Sequence, residues 1–305
     1  MKTAILVDSA CSLPATFCEK YNISFVPLAY GIDGDVFIDS SNEDDALALF
    51  ESGSLARKHK VTTSAPSAKL FEKAILKKAA EGFERIIVQT VNRTQGETYA
   101  NANEGATAAE AALVGQDVIV RVMDSRTVFA GQALMAAETI RRMLKSDDET
   151  LVRRSMDKLS EKIHTYILPK EPLVALERAR ERNEKSVSWT QAMLATKLGI
   201  HPVICNVNDA SSSVANVWGF KKAARQLFEY VGSCIEQGTR CPIVVVNYCG
   251  PLDELKKLPG FSELAQKAKQ HKMTLIFSVA SVASGIYASV GSLSVAVATD
   301  AQSWV

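Results

Sequence analysis

Four segments rich in hydroxyl and amide side chains are the places where this sequence could bind an anion. They are residues 8–11 (DSAC), 61–67 (VTTSAPS), 91–96 (VNRTQG) and 124–127 (DSRT). Each precedes a predicted helix, whose first N–H groups are free and carry a partial positive charge. Such N–H groups, together with Ser, Thr and Asn side chains, can hold a carboxylate or a phosphate. An ordinary helix N-cap also explains each segment taken alone.

Residues 61–67 are the strongest of the four candidates. Thr62, Thr63 and Ser64 are three consecutive hydroxyls before a Pro that starts a helix, which is more than one cap needs. We therefore predict that this Thr-Thr-Ser loop holds the anionic end of a ligand. Arg93 could pair with the same anion or reach solvent. The other candidate ligand-binding residues in these segments are Asp8, Ser9, Asn92, Thr94, Gly96 and Ser125.

Enzymatic chemistry has weaker support in the sequence. Asp8 and Asp124 could form a carboxylate pair for metal binding or acid–base work, but two helix caps explain them equally well. The sequence lacks GxGxxG, GxxxxGK[ST] and GxSxG motifs, lacks CxxC spacing, and has only four His, which are isolated. We therefore predict that the protein is not an enzyme, with no catalytic residue, no metal site and no cofactor other than a bound ligand.

An alternation of short apolar runs and helical patterns positions these segments. Apolar runs at 3–7, 23–29, 86–91 and 118–123 predict strands, and apolar spacing at 65–80, 95–113 and 127–144 predicts helices. This alternation is typical of βαβ units in a Rossmann-like parallel sheet, and thus of an α/β fold. The carboxyl ends of such strands would bring the four segments to one edge of the sheet.

The second half of the chain has fewer clean βαβ units, so we predict two domains. An N-terminal α/β domain spans residues 1–162, and a C-terminal α/β domain spans residues 163–305. Within the second half we expect a helix at 189–198, a polar turn at 209–213 and a final strand within 284–299.

Composition narrows the range of partners and locations. The 305 residues include 35 Lys plus Arg and 34 Asp plus Glu, so the balance of charge gives no reason to expect a nucleic-acid partner. The apolar run at the N-terminus is too short for a signal peptide, and no run is long enough to span a membrane. We therefore expect a cytoplasmic protein whose six Cys are small buried apolar residues.

Four blocks of this sequence together resemble the DegV family of bacterial fatty-acid-binding proteins. They are AILVDSACSLP, YNISFVPLAYGIDG, VTTSAPS and DSRTVFAGQAL, and their order and spacing match over about the first 145 residues. LGIHPVI near residue 200 and the helix beginning Lys221-Lys222-Ala223 match more loosely. The resemblance implies a two-domain fold with an acyl tunnel between the domains. It also implies a long-chain fatty acid as ligand and a separate fatty acid kinase as partner.

The resemblance assigns roles to particular residues and also shows departures. The carboxylate-holding Thr-Thr-Ser falls on Thr62, Thr63 and Ser64, and a second hydroxyl loop falls on Asn92, Arg93 and Gly96. The family's C-terminal His falls at Ala288, its Gly-Gly-Arg at 184–186, and its Arg-Thr-Arg at 218–220 (Trp-Gly-Phe). Since that His is missing, we predict that Arg93 is the cation that replaces it.

Three functional hypotheses follow. The first is a carrier that binds a long-chain fatty acid, with its carboxylate at the Thr-Thr-Ser loop and its acyl chain buried between domains, for a fatty acid kinase. The second is a divergent homologue that binds another small anionic ligand without a kinase partner. The third is a small-molecule enzyme that uses Asp8, Asp124 and Arg93.

Overall fold

A computed structural model of the chain describes residues 2–146, 148–181, 199–300 and 304. Its strands are β1 (Thr3–Asp8), β2 (Ile23–Val26), β3 (Ala29–Ile32), β4 (Asp35–Ile38), β5 (Val61–Ser64), β6 (Arg85–Thr90), β7 (Ile119–Asp124), β8 (Ile163–Leu168), β9 (Ile200–Val207), β10 (Ala210–Trp218), β11 (Ile243–Tyr248), β12 (Thr274–Val279) and β13 (Leu293–Ala298). Its helices are α1 (Ala15–Tyr21), α2 (Glu43–Glu51), α3 (Ala68–Ala80), α4 (Thr98–Ala112), α5 (Ala130–Met143), α6 (Glu149–Ser160), α7 (Pro172–Glu181), α8 (Phe220–Gln237), α9 (Leu252–Lys256), α10 (Phe261–Gln270) and α11 (Val282–Ala288).

The first sheet is parallel, as the sequence predicts. Its strand order is β2-β1-β6-β7, with Ile5 of β1 in register with Ile23 of β2 and Ile87 of β6. The strands β1 and β6 are buried along nearly their whole length because helices cover both faces of the sheet. Helices α3 and α4 pack on one face, and α5 packs on the other.

A second, antiparallel sheet of order β4-β3-β5 corrects the prediction for the Thr-Thr-Ser segment. Thr62, Thr63 and Ser64 lie in strand β5, paired with β3, and not in a loop after a parallel strand. The β-branched residues of Val61-Thr62-Thr63 favour a strand, and their partner β3 lies about 30 residues earlier, beyond the reach of a local pattern. The cap of the following helix α3 is Ser67, whose Oγ accepts a hydrogen bond from the Leu70 N–H.

The third sheet is mixed, with the order β10-β9-β8-β13-β11-β12. It corrects two further predictions. Residues 210–213 of the predicted polar turn begin strand β10, which pairs antiparallel with β9. Of the final strand predicted at 284–299, the second part is confirmed as β13, whereas residues 284–288 belong to helix α11, because a turn at 290–291 separates two elements.

Helix α5 joins the first and third sheets into one core. Every residue from Ala130 to Ile140 is buried, and small residues let both sheets approach the helix closely. A side chain at Gly131 would lie 2.0 Å from Oγ1 of Thr165 on β8, so this position requires Gly. All strands of the third sheet follow residue 162, and we refer below to residues before and after this point as the N-terminal and C-terminal halves. The domain boundary at 162/163 stays a prediction, since the halves share this core.

Some predictions concern parts of the chain that are not described. The helix at 189–198 and the position of the family's Gly-Gly-Arg at 184–186 lie outside the described residues. All six Cys are buried, which confirms that they are core residues. Within the described ranges, no helix is both long enough and apolar enough to cross a membrane.

Candidate functional site

A cavity of about 450 Å³ lies between the two halves. Its wall comes mainly from four places: the end of β1, the end of β5, the β6–α4 loop and helix α11. The residues that line it are Ala10, Leu28, Thr63, Ser64, Ala65, Val91, Gln95, Gly96, Glu97, Thr98, Val128, Phe129, Ala283 and Tyr287. The wall therefore combines apolar groups with several hydroxyls.

A smaller inner cavity of about 70 Å³ adjoins the first one. The two share Gln95, Val128, Phe129 and Tyr287 in their walls. The other residues lining the inner cavity are Ile167, Pro169, Ala175, Ala179, Ile204, Ser211 and Ala288. Most of these side chains are apolar, so the space becomes less polar from the outer cavity to the inner one.

Strand β5 contributes hydroxyls to the outer cavity at its C-terminal end. Thr63 Oγ1 lies 2.6 Å from the hydroxyl of Tyr287, which joins β5 to helix α11 across the two halves. Ser64, at the end of the strand, also lines the cavity. Thr62 points to the face of the sheet opposite Thr63, where its Oγ1 lies over Gly31. Two of the three predicted hydroxyls therefore line the cavity, and Thr62 does not.

The β6–α4 loop places a helix N-terminus at the cavity. Asn92 is buried, and its Oδ1 accepts hydrogen bonds from the N–H and the hydroxyl of Thr94. Asn92 and Thr94 thus build the turn and are not among the described lining residues. Gly96 lines the cavity with φ of 143°, a conformation that favours Gly. Glu97 and Thr98 follow it at the start of α4 and also line the cavity.

Arg93 also lies in this loop, and its side chain is half-exposed. Its guanidinium forms ion pairs with Asp124, at 3.5 Å, and with Asp209 of the C-terminal half, at 3.3 Å. The described wall residues do not include Arg93. The prediction that Arg93 replaces the missing cation therefore has no support from its position, because two carboxylates already engage the guanidinium.

Asp8, Ser9 and Ser125 hold the strand ends together. The Asp8 carboxylate is fully buried and accepts hydrogen bonds from the N–H groups of Ala10 and Val91 and from the Gln132 amide. Burial raises the pKa of Asp8 to about 6, against the lowering effect of these bonds. Ser9 Oγ accepts from the Leu28 N–H, and Ser125 Oγ donates to a carbonyl two residues on. All three are buried and absent from the described walls of both cavities.

Asp124 is also occupied by structural contacts. Its Oδ1 accepts hydrogen bonds from the N–H groups of Arg93 and Arg126. Burial, followed by the nearby charge of Asp209, raises the pKa of Asp124. Asp8 and Asp124 each accept hydrogen bonds from backbone N–H groups near the end of their own strand. These contacts do not support a catalytic pair.

Three residues that sequence reasoning missed line the outer cavity. Tyr287 precedes Ala288, the position predicted for the family's His. Ala288 lines the inner cavity without a polar group, whereas the Tyr287 hydroxyl reaches Thr63. Phe129 lines both cavities with φ of 48°, a strained backbone for a residue other than Gly. Glu97 could have been found from the sequence, because it directly follows Gly96, the last residue of the candidate segment 91–96.

The described lining residues give no sign of a metal site. No group of three or more His, Cys, Asp or Glu side chains among the described residues could hold an ion. Glu97 is the one lining side chain of the outer cavity that carries a charge at neutral pH, within the part of the chain described. The walls are thus suited to hydrogen bonding and apolar contact.

Comparisons with known proteins agree with this architecture. The model of the DegV family, described as uncharacterised proteins, matches residues 2–300. A DegV domain-containing protein of Xanthomonas axonopodis is 28% identical over 308 residues, which cover 98% of this chain and 98% of the relative. A fatty acid-binding protein of Thermotoga maritima is 26% identical over 261 residues, covering 81% of this chain and 82% of that protein.

A solved structure shows the same fold. A stearic acid-binding protein of Eubacterium ventriosum aligns with a TM-score of 0.79 at 17% identity, covering 98% of each chain. The identity is too low to carry individual residue roles across, but the score confirms the two-part α/β architecture.

Proposed function

Because this chain belongs to the DegV family, we propose that it binds a long-chain fatty acid in the cavities between its halves and serves as a carrier. No catalytic step of its own is part of this proposal. Relatives described as fatty acid-binding proteins support it. The observation that carries it is the graded lining, with hydroxyls around the outer cavity and an apolar inner end.

The acyl chain supplies the affinity in this proposal. Burying an alkyl chain of about sixteen carbons gains on the order of 10 kcal/mol at ~0.8 kcal/mol per CH₂, before the cost of association. Phe129, Val128 and Ile204 offer the apolar contact that this gain needs, and none of them brings a charge. A ligand with its tail in the inner cavity leaves its head group in the outer one.

The head group meets hydroxyls from both halves. Thr63 and Tyr287 hydrogen-bond to each other, so neither hydroxyl lacks a partner before the ligand arrives. Each hydroxyl can donate and accept, so both can turn towards a ligand oxygen without leaving a buried group unpaired. Ser64 adds a third hydroxyl at the same place. We propose these three as the head-group ligands, with Thr62 and Arg93 outside the site.

Lipid extraction from freshly purified protein tests the proposal. Mass spectrometry should find one long acyl chain per protein in the wild type. Ala175→Leu, which adds bulk inside the inner cavity, should lower that occupancy at least tenfold. Ala111→Leu on an exposed part of α4 is the matched control and should keep it. Purified wild-type protein that holds no lipid and binds none when it is added would overturn the proposal.

Hand-over of the acid to a kinase is the further step that the family resemblance implies. Where the family has Arg-Thr-Arg, this chain has an exposed Trp218, then Gly219, then a buried Phe220. We propose that any kinase contact here does not use arginines at these positions. Pull-down with a fatty acid kinase separates the alternatives: capture supports a kinase carrier, and no capture supports a carrier without that partner.

A further inference from the structure

The inner cavity has a single hydroxyl at its otherwise apolar end. Seven of its described lining residues do not also line the outer cavity, and six of these are Ile, Pro or Ala. The seventh is Ser211, which lies on strand β10. An unsubstituted acyl chain offers this hydroxyl neither a donor nor an acceptor. The hydroxyl of Ser211 is therefore not explained by a cavity that binds a plain alkyl chain.

Strand pairing places a second polar side chain beside Ser211. Asn206 of β9 is the register partner of Ser211, and its Nδ2 donates a hydrogen bond to Ser211 Oγ at 2.9 Å. Asn206 lies two residues after Ile204, and alternate residues of a strand face the same side of a sheet. Because Ile204 lines the inner cavity, the Asn206 amide lies on the cavity side of the sheet as well.

The hydrogen bonds of this pair are incomplete. Asn206 is 1% exposed, and its Oδ1 accepts no hydrogen bond from any residue that the structure describes. The neighbouring Thr165 of β8 does not supply one, because its Oγ1 bonds to Thr127 Oγ1 at 2.7 Å. Ser211 Oγ accepts from Asn206, which leaves the hydroxyl hydrogen to donate into the cavity. Since an unpaired buried polar group costs free energy, the pair favours a ligand with a polar group at this point.

We propose that Ser211 and Asn206 recognise a hydroxyl on the acyl chain, and that the ligand is a long-chain hydroxy fatty acid. This inference rests on the proposed fatty-acid binding, and the carboxylate keeps its place in the outer cavity. Ser211 lines only the inner cavity, so the recognised hydroxyl lies in the distal half of the chain. Its oxygen accepts a hydrogen bond from Ser211, and its hydrogen is available to the Asn206 amide. An oxo group could accept but could not donate.

Such a pair distinguishes ligands by the bonds that each one leaves unmade. A site built to hydrogen-bond a ligand hydroxyl rejects an analogue that lacks the hydroxyl, because the polar groups of the site are then unpaired. The reverse holds for an apolar wall, which penalises a hydroxyl without a partner. The preference between a hydroxylated and a plain chain therefore reports whether Ser211 acts as a hydrogen-bonding group.

Displacement of a fluorescent fatty-acid analogue compares hexadecanoate with hexadecanoates that carry one hydroxyl. The distal isomers have it on the tenth, twelfth, fourteenth or last carbon, and the proximal isomer has it on the second. We expect at least one distal isomer to bind the wild type about fivefold more tightly than hexadecanoate does. In Ser211→Ala that isomer should bind no more tightly than hexadecanoate, because its hydroxyl has lost its donor.

Three controls belong to this experiment. Hexadecanoate should bind the wild type and Ser211→Ala within about twofold, which also shows that the variant folds. The proximal isomer should bind these two proteins within about twofold of each other, since its hydroxyl lies near the carboxylate. Ser212→Ala, an exposed residue on the opposite face of β10, is the matched control variant and should keep the wild-type preference.

The outcomes separate this inference from the proposed function. If no distal isomer binds the wild type more tightly than hexadecanoate, the hydroxyl proposal is overturned and fatty-acid binding stays intact. A preference that persists in Ser211→Ala, or an equal loss of affinity for the proximal isomer, would also overturn it. If neither hexadecanoate nor any isomer binds, the proposed function fails, and this inference fails with it.

Discussion

The strand ends of the parallel sheet and the wall of the outer cavity are both rich in polar residues. The first group makes structural hydrogen bonds, and the second group is exposed to the cavity. At the strand ends, Asp8, Ser9 and Ser125 are buried, and backbone or amide groups satisfy them. At the cavity wall, Thr63 and Ser64 come from a different sheet and retain exposure to the open space. Polar residues placed where ligands usually gather in α/β folds can thus be structural, while binding residues come from an added element.

This difference should divide the effects of substitutions into two classes. Changes at the strand ends should lower stability and leave the affinity of the folded protein intact. Changes at the cavity wall should lower affinity and cost little stability.

The largest effect should come from Asp8→Ala. It removes the acceptor of three hydrogen bonds in a fully buried site, and leaves the N–H groups of Ala10 and Val91 without that partner. We expect the free energy of unfolding to fall by about 3 kcal/mol or more in urea titrations. The affinity for hexadecanoate, measured at urea concentrations well below the unfolding midpoint, should stay within about twofold. A large loss of affinity without loss of stability would show that Asp8 binds the ligand and would contradict its structural role.

The free energy of unfolding should depend on pH through the ionisation of Asp8. The pKa of Asp8 is raised from 3.8 to about 6 in the folded protein, so the folded state holds this proton more tightly than the unfolded state. Stability from Asp8 is therefore fully present below about pH 4 and lost as the pH rises through about 6, by up to roughly 3 kcal/mol. Asp8→Asn should flatten this slope relative to wild type. Equal slopes in the two proteins would contradict the assignment.

The next effect concerns the hydrogen bond between Thr63 and Tyr287. Tyr287→Phe and Thr63→Val should each weaken lipid binding about fivefold, because a head-group hydrogen bond is worth about 1 kcal/mol. The double variant should lose less than the sum of both in free energy, since the two hydroxyls serve one head group. Thr62→Val is the matched control on the other face of β5 and should bind normally. Full additivity would place the two hydroxyls in separate interactions.

The smallest effect should come from Arg93→Ala. Its ion pairs with Asp124 and Asp209 are half-exposed and worth about 1 kcal/mol at most. We expect hexadecanoate affinity within about twofold of wild type in displacement assays. A tenfold loss for hexadecanoate alone, with hexadecanol unaffected, would restore Arg93 as the cation that binds the carboxylate.

The parallel sheet could be predicted because its strands contain short apolar runs, residues 4–7 in β1 and 86–88 in β6, and helical spacing flanks these runs. The antiparallel sheet could not, because VTTS before a helix has the composition of a cap and its pairing with β3 is not a local property. The position of Tyr287 at the cavity could not be predicted from the sequence either. Helix α11 is short and includes Val, Gly and Ile, so the sequence favours a strand there, and only tertiary packing aims the Tyr hydroxyl at Thr63.

A crystal structure of the protein with bound hexadecanoate tests the central claim most directly. We expect one extended chain of electron density whose polar end lies within hydrogen-bond distance of Thr63, Ser64 or Tyr287. Its tail should pass Phe129 towards Ile167 and Ile204. Density for the head group beside Arg93 or Asp8, or a ligand bound outside the space between the two halves, would contradict the account.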